Sequence, residues 1–496
     1  MSKKSLYITT TLPYVNAEPH IGFAVEIIRA DTIARFRKAQ GYDVFFHTGT
    51  DEHGLKIYQN AQKAGQTPEA YIKPHVQKFK DLVSVLNIGR TGDREIFPVH
   101  FTRTTDPHHS EAAKKFWLLC KKNGFIELKK HQIKYCVGCE LEKTDSELVN
   151  GHCVLHPNLK IEIIDEENYF FKFSDERIRE KLLALYAPRT PQFALDVMRT
   201  VEVKAFVERG LKDFSISRLK SKMPWGVEVP DDAEHVMYVW FEALVSYISA
   251  LGWPDNSDFQ KFWQSEDSIK VQYCGKDNLR QQAAIWQAML LAAGLKTSDH
   301  IVVDGFVTGV GGIKMSKSLG NTISPFDIIT EYGVDALRYY VLAELSSFED
   351  SPFSLELFKT AYNAQLANGL GNLVSRVMKM ATVNNVILVE PKQRFFEALA
   401  GEKEYFDAFD RYELNKACAE IWQHIRFADE LIQKEQPFVL IKTDFEKAKK
   451  IIELLLGQLY KIGHMLKPIM PETAEKIKTL VRENTMPQAP LFPRKE

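Results

Sequence analysis

The tightest constraint on this 496-residue chain lies near its start. There an apolar, β-branched run, Leu6 to Thr10, passes through the loop Leu12-Pro13-Tyr14-Val15-Asn16-Ala17-Glu18-Pro19-His20-Ile21-Gly22-Phe23 into an amphipathic pattern that runs from Ile21 to Gln40 and stops at Gly41. The order is strand, loop, helix. A helix that starts at the carboxyl edge of a sheet offers unpaired N–H groups and the positive end of its dipole, which makes His20 and Gly22 candidates for holding a phosphate. Taken alone, the pair reads as readily as a cap or a packed ring.

Later strand patterns end in the same manner. Tyr42 to His47 reads as a buried strand running into Thr48-Gly49-Thr50-Asp51-Glu52-His53-Gly54, where Asp51 either caps a helix from Glu52 onward or faces the His20 loop and holds a cation. Tyr58 to Lys122 reads as helical and charged, broken at Gly89 to Asp93. Val236 to Trp240 is a strand pattern followed by a helix, on which Trp240, Leu244 and Tyr247 share one face, either as plain core or as the wall of an apolar pocket. Ile269 to Cys274 is another strand and ends at Gly275-Lys276-Asp277 before a helix that reaches Gly294. A further strand, Ile301 to Val307, leads through Gly309, Gly311 and Gly312 to Lys314-Met315-Ser316-Lys317-Ser318. A glycine-bracketed loop with two lysines can fold over a polyphosphate or stand as a surface turn.

The chain is too long for a single core, and its size suggests roughly three or four structural units. No window approaches about twenty uninterrupted apolar residues, and the Met-Ser-Lys-Lys-Ser start is not a signal peptide, so a cytoplasmic protein without a membrane partner is expected. A net charge of −1 gives no global pull on nucleic acid, so such a partner needs a local patch.

Three of the six cysteines gather in one window. Cys136-Val137-Gly138-Cys139 and Cys153-Val154-Leu155-His156 form two hooks that offer three thiolates and an imidazole, enough for a closed, structural tetrahedral zinc site. Redox use of Cys136 and Cys139 is the rival reading, and His152 competes with His156 for the fourth position. Cys120, Cys274 and Cys418 sit in apolar surroundings and read as buried small hydrophobes. Asn168 to Val229, with Ser215-Ile216-Ser217-Arg218 and Pro224-Trp225-Gly226, reads as an insertion between two halves of a sheet domain. From Phe358 to Leu480 the pattern is helical throughout, and Asn372, Arg376 and Lys379 fall on one helix face.

Together the motifs resemble the class I aminoacyl-tRNA synthetases, and among them the methionyl-tRNA synthetase family. The likeness rests on Thr11 to Asn16 before His20-Ile21-Gly22, Gly49 to Gly54, the single Cys136/Cys139/Cys153/His156 knuckle, Tyr238 to Ala243, Gly275-Lys276-Asp277, Lys314 to Ser318, and Gly371 to Arg376. It spans nearly the whole chain. The fold implied is α/β: a Rossmann-like doubly wound parallel sheet in two halves (1–115 and 226–355), an inserted zinc-knuckle connective domain (116–225), and an all-α anticodon-binding helix bundle (356–496).

By that resemblance the activity is ATP-dependent formation of methionyl-adenylate, with Mg²⁺, followed by transfer to initiator and elongator tRNA. His20, Gly22, Lys314 and Lys317 are the implied catalytic residues; Phe23, Gly275, Asp277 and Ser316 join them around ATP. Methionine would be held by Asp51 at its ammonium, with Leu12, Tyr14, Trp240, Leu244, Tyr247, Gln282 and Trp286 around the side chain. Asn372, Arg376 and Phe438 would meet the anticodon, by edge hydrogen bonds and stacking.

Three positions depart from the family pattern. Phe23 stands where a second His is usual, Gln282 where a His is usual, and Phe438 where a Trp is usual. Because Phe23 and Gln282 fall in the implied active site, two other readings stay open: a synthetase-like protein that binds tRNA or a nucleotide without completing aminoacylation, or a related ligase for another amino acid. The sequence stops at Glu496 without an added dimerisation module, so a monomer is expected.

Overall fold

The computed structural model describes residues 4–16, 18–139, 141–143, 147–187, 197–309, 311–312, 323–389 and 395–496. The segment Lys314 to Ser318 lies outside the described residues. By its internal contacts the chain divides into two compact units, Met1–Pro19 with Phe45–Leu82 and Val99–Val303, and His20–Val44 with Val83–Pro98 and Asp304–Glu496.

The first unit is built on a five-stranded sheet. Its strand order is His300–Asp304, Ser268–Gly275, β1 (Ser5–Thr9), β2 (Asp43–Thr50) and Val99–Arg103. β1 pairs in parallel with Ser268–Gly275, Ser5 opposite Ser268, and β2 pairs in parallel with Val99–Arg103, Phe46 opposite Val99. In chain order the strands run 5-4-1-2-3, so the order reverses between β1 and Ser268–Gly275, which is where a doubly wound sheet opens a crevice beyond its carboxyl ends. β1 is buried at every residue, and β2 at all but its first, which explains why neither shows a strict alternation.

Val99–Arg103 corrects the helical reading of Tyr58 to Lys122. The helices there are Leu55–Lys63, Pro68–Val85 and Pro107–Lys122, with the strand between them. As an edge strand its five residues are all half-buried, and Val-His-Phe-Thr-Arg carries too little apolar signal to stand out. Two other boundaries also move. The strand expected at Val236 to Trp240 is Asp232–Met237, and the helix after it, Val239–Leu244, breaks at Val245 before Ser246–Ser249.

The insertion is an antiparallel arm. Ile126–Cys136 pairs with Glu162–Phe171 from Ile126 opposite Phe171 to Tyr135 opposite Glu162, and the cysteine hooks lie beyond its tip. At the arm's other end, Phe171 and Phe173 join the large core formed by Trp117, Phe241, Trp263 and Trp286.

In the second unit, helix α1 (Ile21–Ala39) corrects the amphipathic reading, because it is buried from Phe23 through Phe36. The charges that mimicked a solvent face are paired inside. Arg29 meets Asp304 at 2.9 Å, and Asp31 takes both Arg35 and Arg338 at 2.6 Å. Among the described residues from Phe358 to Leu480 the chain is helical as expected, including Asn372–Val383, Leu414–Glu435, Pro437–Thr443 and Phe445–Leu466, and a last helix, Pro471–Glu483, follows.

Candidate active site

At the start of α1, His20 is the cap. Its backbone is extended, and its ring Nδ1 accepts from the Gly22 N–H at 3.0 Å. A Cβ on Gly22 would stand 2.9 Å from His20 Cε1, so glycine is what lets the ring fold back over the helix end. The other early N–H groups are also used: Ile21 donates to the Ile323 carbonyl at 3.2 Å, and Phe23 to that of His20 at 3.1 Å. This corrects the expectation of unpaired N–H groups awaiting a phosphate. What the helix start offers is its dipole and the exposed His20; with Nδ1 accepting, a neutral ring carries its proton on Nε2. Phe23 is buried, with 9% of its surface exposed.

At the sheet's switch point, the strand Ser268–Gly275 ends in a tight turn, Lys276–Asn278. The exposed Asp277 lies over Gly275, where a Cβ would come within 2.8 Å of its Oδ1.

Beyond β1, Tyr14 and Asp51 are locked opposite one another. Asp51 N–H donates to the Pro13 carbonyl at 3.0 Å, and Val15 N–H donates to that of Asp51 at 3.1 Å. Of the two readings of Asp51, helix capping is excluded, because the helix begins at Leu55 behind Gly54. Asp51 is 7% exposed, the burial suited to a carboxylate that takes a cation.

The other candidates for methionine fall into two groups. Trp240 and Tyr14 both pack against the cluster of Tyr135, Tyr238 and Val239, the Trp240 ring 6.2 Å from that of Tyr238. Leu244, Tyr247 and Trp286 belong to the large core, with Leu12 packed against it and the Tyr247 and Trp286 rings 5.9 Å apart. The single face expected for Trp240, Leu244 and Tyr247 is therefore divided, because the helix turns at Val245. Gln282 is buried in an amide chain: its Nε2 donates to Tyr247 Oη at 2.5 Å, and its Oε1 accepts from Gln272 Nε2 at 3.2 Å. The Gln287 amide and Ser298 hold the far side of this chain.

Sequence reading missed the polar supports of the Asp51 loop. Glu52, wholly buried, accepts a two-pronged bond from Arg103 at 2.9 and 2.8 Å, besides the hydroxyls of Thr50 and Thr105. His53 Nδ1 lies 3.0 Å from Glu242 Oε1, and His109 Nε2 lies 2.8 Å from Glu242 Oε2. Burial alone would raise the Glu242 carboxyl, but His53 first and then His109 hold it below its ordinary range. Glu52, His53 and Glu242 stand inside motifs legible in the sequence, but the bonds among them are long-range.

In the knuckle, the donor atoms of Cys136, Cys139, Cys153 and His156 all lie within 4.8 Å of one another. Cys139 Sγ is 3.3 Å from Cys153 Sγ and 3.2 Å from His156 Nδ1, and Cys136 Sγ is 3.8 Å from the same nitrogen. Zinc–sulfur bonds of about 2.3 Å set tetrahedral edges of roughly 3.7 Å, so the donor set fits a metal of that size. His156 takes the fourth position, since His152 points to solvent. A Cβ on Gly138 would lie 2.4 Å from the His156 ring, so the first hook is shaped around the second. All six cysteines are free thiols, and Cys120, Cys274 and Cys418 are buried.

In the helical unit, Asn372 is exposed at the start of Asn372–Val383 and Arg376 pairs with Asp429 at 3.0 Å, each about one third exposed. Phe438 is 52% exposed. Among the described residues no helix is long and apolar enough to cross a membrane.

Comparison with known proteins agrees with this geometry. Residues 6–158 and 142–378 match the family described as tRNA synthetases class I (M), and residues 389–490 match the anticodon binding domain of methionyl tRNA ligase. The methionine–tRNA ligase of Synechocystis sp. is 39% identical over 488 residues, 95% of this chain and 88% of that protein. That of Brucella suis is 35% identical, over 96% of this chain and 92% of its own. Among solved structures, Mycobacterium tuberculosis methionyl-tRNA synthetase in complex with methionyl-adenylate superposes with a TM-score of 0.86 at 35% identity, covering 96% of this chain and 94% of that one. On the strength of two matched domains and full-length relatives, the chain belongs to the methionyl-tRNA synthetase family of class I tRNA synthetases.

Proposed function

We propose that the chain activates methionine with ATP and transfers it to tRNA(Met), both initiator and elongator, as a cytoplasmic monomer. The observation that carries this reading is the convergence at the switch point, where the loop after β1 is bonded to Asp51 through the Pro13 carbonyl and the Val15 N–H, and the neighbouring strand ends at Gly275 and Asp277. In this reading Asp51 receives the methionine ammonium, while Leu12, Tyr14, Trp240, Leu244, Tyr247, Gln282 and Trp286 surround the thioether; aromatic walls suit a polarizable sulfur. Gly275 and Asp277 meet the ribose of ATP, with Gly22 and Phe23 beside the nucleotide.

The methionine carboxylate attacks the α-phosphorus in line, so the protein's work is positioning and charge stabilisation, without a covalent nucleophile. His20, Lys314, Ser316 and Lys317 act on the phosphates, with Lys317 the more important lysine, and Mg²⁺ neutralises charge on the leaving pyrophosphate. Cys136, Cys139, Cys153 and His156 hold one structural zinc. Asn372, Arg376 and Phe438 read the anticodon. The domains follow as two Rossmann halves at 1–115 and 226–355, the knuckle insertion at 116–225, and the anticodon bundle at 356–496.

Pyrophosphate exchange with each amino acid in turn, followed by charging of tRNA, tests the reading. Exchange with methionine alone and methionine on the tRNA are expected. Exchange absent, or equal among several amino acids, overturns it, and exchange without charging leaves an adenylate-forming protein of another kind.

A further inference from the structure

The Asp51 loop is tied down on several sides, and the ties differ in what they reach. Glu52 binds it to Arg103 of the adjoining edge strand, an attachment within the sheet. The Trp225 indole donates to the Glu52 carbonyl at 2.7 Å, and Gly54 N–H donates back to the Trp225 carbonyl at 3.3 Å. His53 reaches Glu242, on the helix Val239–Leu244 that also carries Trp240.

Glu242 has no exposed surface. Its two oxygens are divided between His53, two residues after Asp51, and His109, from the helix Pro107–Lys122. The His109 ring is itself held, with Nδ1 2.9 Å from Ser249 Oγ. Both imidazoles donate to the carboxylate, so each tautomer is set: His53 carries its proton on Nδ1 and His109 on Nε2. A buried anion with two aligned donors is a stiff joint, because breaking either bond leaves charge uncompensated where no water can reach it.

We propose that Glu242 is a positioning residue for methionine, its carboxylate locking the Asp51 loop to the helix of Trp240 and so setting the distance between two walls of the amino-acid site. The inference rests on the reading of Asp51 and Trp240 as methionine residues. Glu242 itself lies behind both and touches no substrate. With Asp51 already bonded through its backbone to Pro13 and Val15 on either side of Tyr14, three walls are held in register through backbone bonds on one side and this carboxylate on the other.

The test is pyrophosphate exchange with enzyme concentration taken from active-site titration, so that misfolded protein is not counted. Glu242→Gln keeps the volume but supplies one acceptor where the carboxylate supplies two. It is expected to raise the KM for methionine about tenfold or more, with the KM for ATP unchanged. His53→Ala should do the same, and combining the two should add little further. His53→Asn, whose amide nitrogen stands near the place of Nδ1, should restore a KM close to the parent's. A merely structural role predicts fewer active sites with both KM values unaltered. That result, or His53→Asn behaving like His53→Ala, overturns the inference. Asp51→Asn separates the two levels: if it leaves the KM for methionine unchanged, the reading of the site fails, whereas a raised KM there with none in Glu242→Gln removes only the role of Glu242.

Discussion

His20 spends its ring Nδ1 on capping its own helix, accepting from the Gly22 N–H, and Gly22 leaves room for the ring to do so. Removing the ring takes away the cap and, on the proposed reading of His20 as a phosphate residue, a contact to the developing charge. His20→Ala should therefore lower kcat of pyrophosphate exchange by about 10²–10³ with little effect on the KM for methionine. A rise in that KM as large as the fall in kcat would contradict the role. Phe23 presents the opposite case. Its place in the motif suggests a nucleotide contact, yet the ring is buried on α1. Phe23→His, which restores the more usual residue of the family, is expected to cost about 1–3 kcal/mol of stability through burial of an imidazole. Equilibrium denaturation checks it, and an unchanged midpoint would mean that the site already accepts a polar ring.

Two elements carry their own tests. In the knuckle, Gly138 lies against the His156 ring so closely that a methyl group has no room. Gly138→Ala should lower bound metal from about one zinc per chain toward none, as read by elemental analysis after dialysis. Retention of full zinc would show that the hooks can part. In β2, His47 is wholly buried beside Tyr7, whose hydroxyl lies 3.2 Å from its Nδ1 and donates to the Tyr247 carbonyl. Burial first, then the neighbouring His100 and His109, lowers its pKa from 6.5 to about 3. The folded ring is thus neutral while the unfolded ring protonates, so stability is full above pH 6.5 and declines as pH falls toward about 3. His47→Gln should flatten that part of the stability–pH curve, and an identical slope in the variant would assign it to other groups.

At the scale of the molecule, the second unit is held by an internal charge cluster. Asp31 Oδ2 receives Arg35 and Arg338 while its Oδ1 accepts from Gly89 N–H, and Arg338 also donates to the carbonyls of Pro468 and Ile469. Arg338 and Asp31 are both fully buried. Asp31→Asn leaves two guanidinium groups without their carboxylate and should cost about 3–5 kcal/mol, measured as a fall in the denaturation midpoint. A loss below about 1 kcal/mol would mean that the carbonyls alone satisfy Arg338.

What the amino-acid order decided by itself is local chemistry: the strand–loop–helix start, the paired cysteine hooks and the helical pattern from Phe358 to Leu480, with His20, Asp51, Gly275 and Asp277 singled out as candidates by their motifs. These depend on periodicities and spacings within a dozen or so residues, or on motif likeness. The tertiary structure alone decided which charges are solvated and which are paired. Arg29 and Asp31 lie in a pattern that read as amphipathic and are core, because their partners Asp304 and Arg338 lie some three hundred positions away. The same reason hid the carboxylate of Glu242 between two imidazoles, whereas the edge strand Val99–Arg103 was hidden by its weak apolar signal. A buried ion or amide owes its place to long-range partners, and no periodicity along the chain records them.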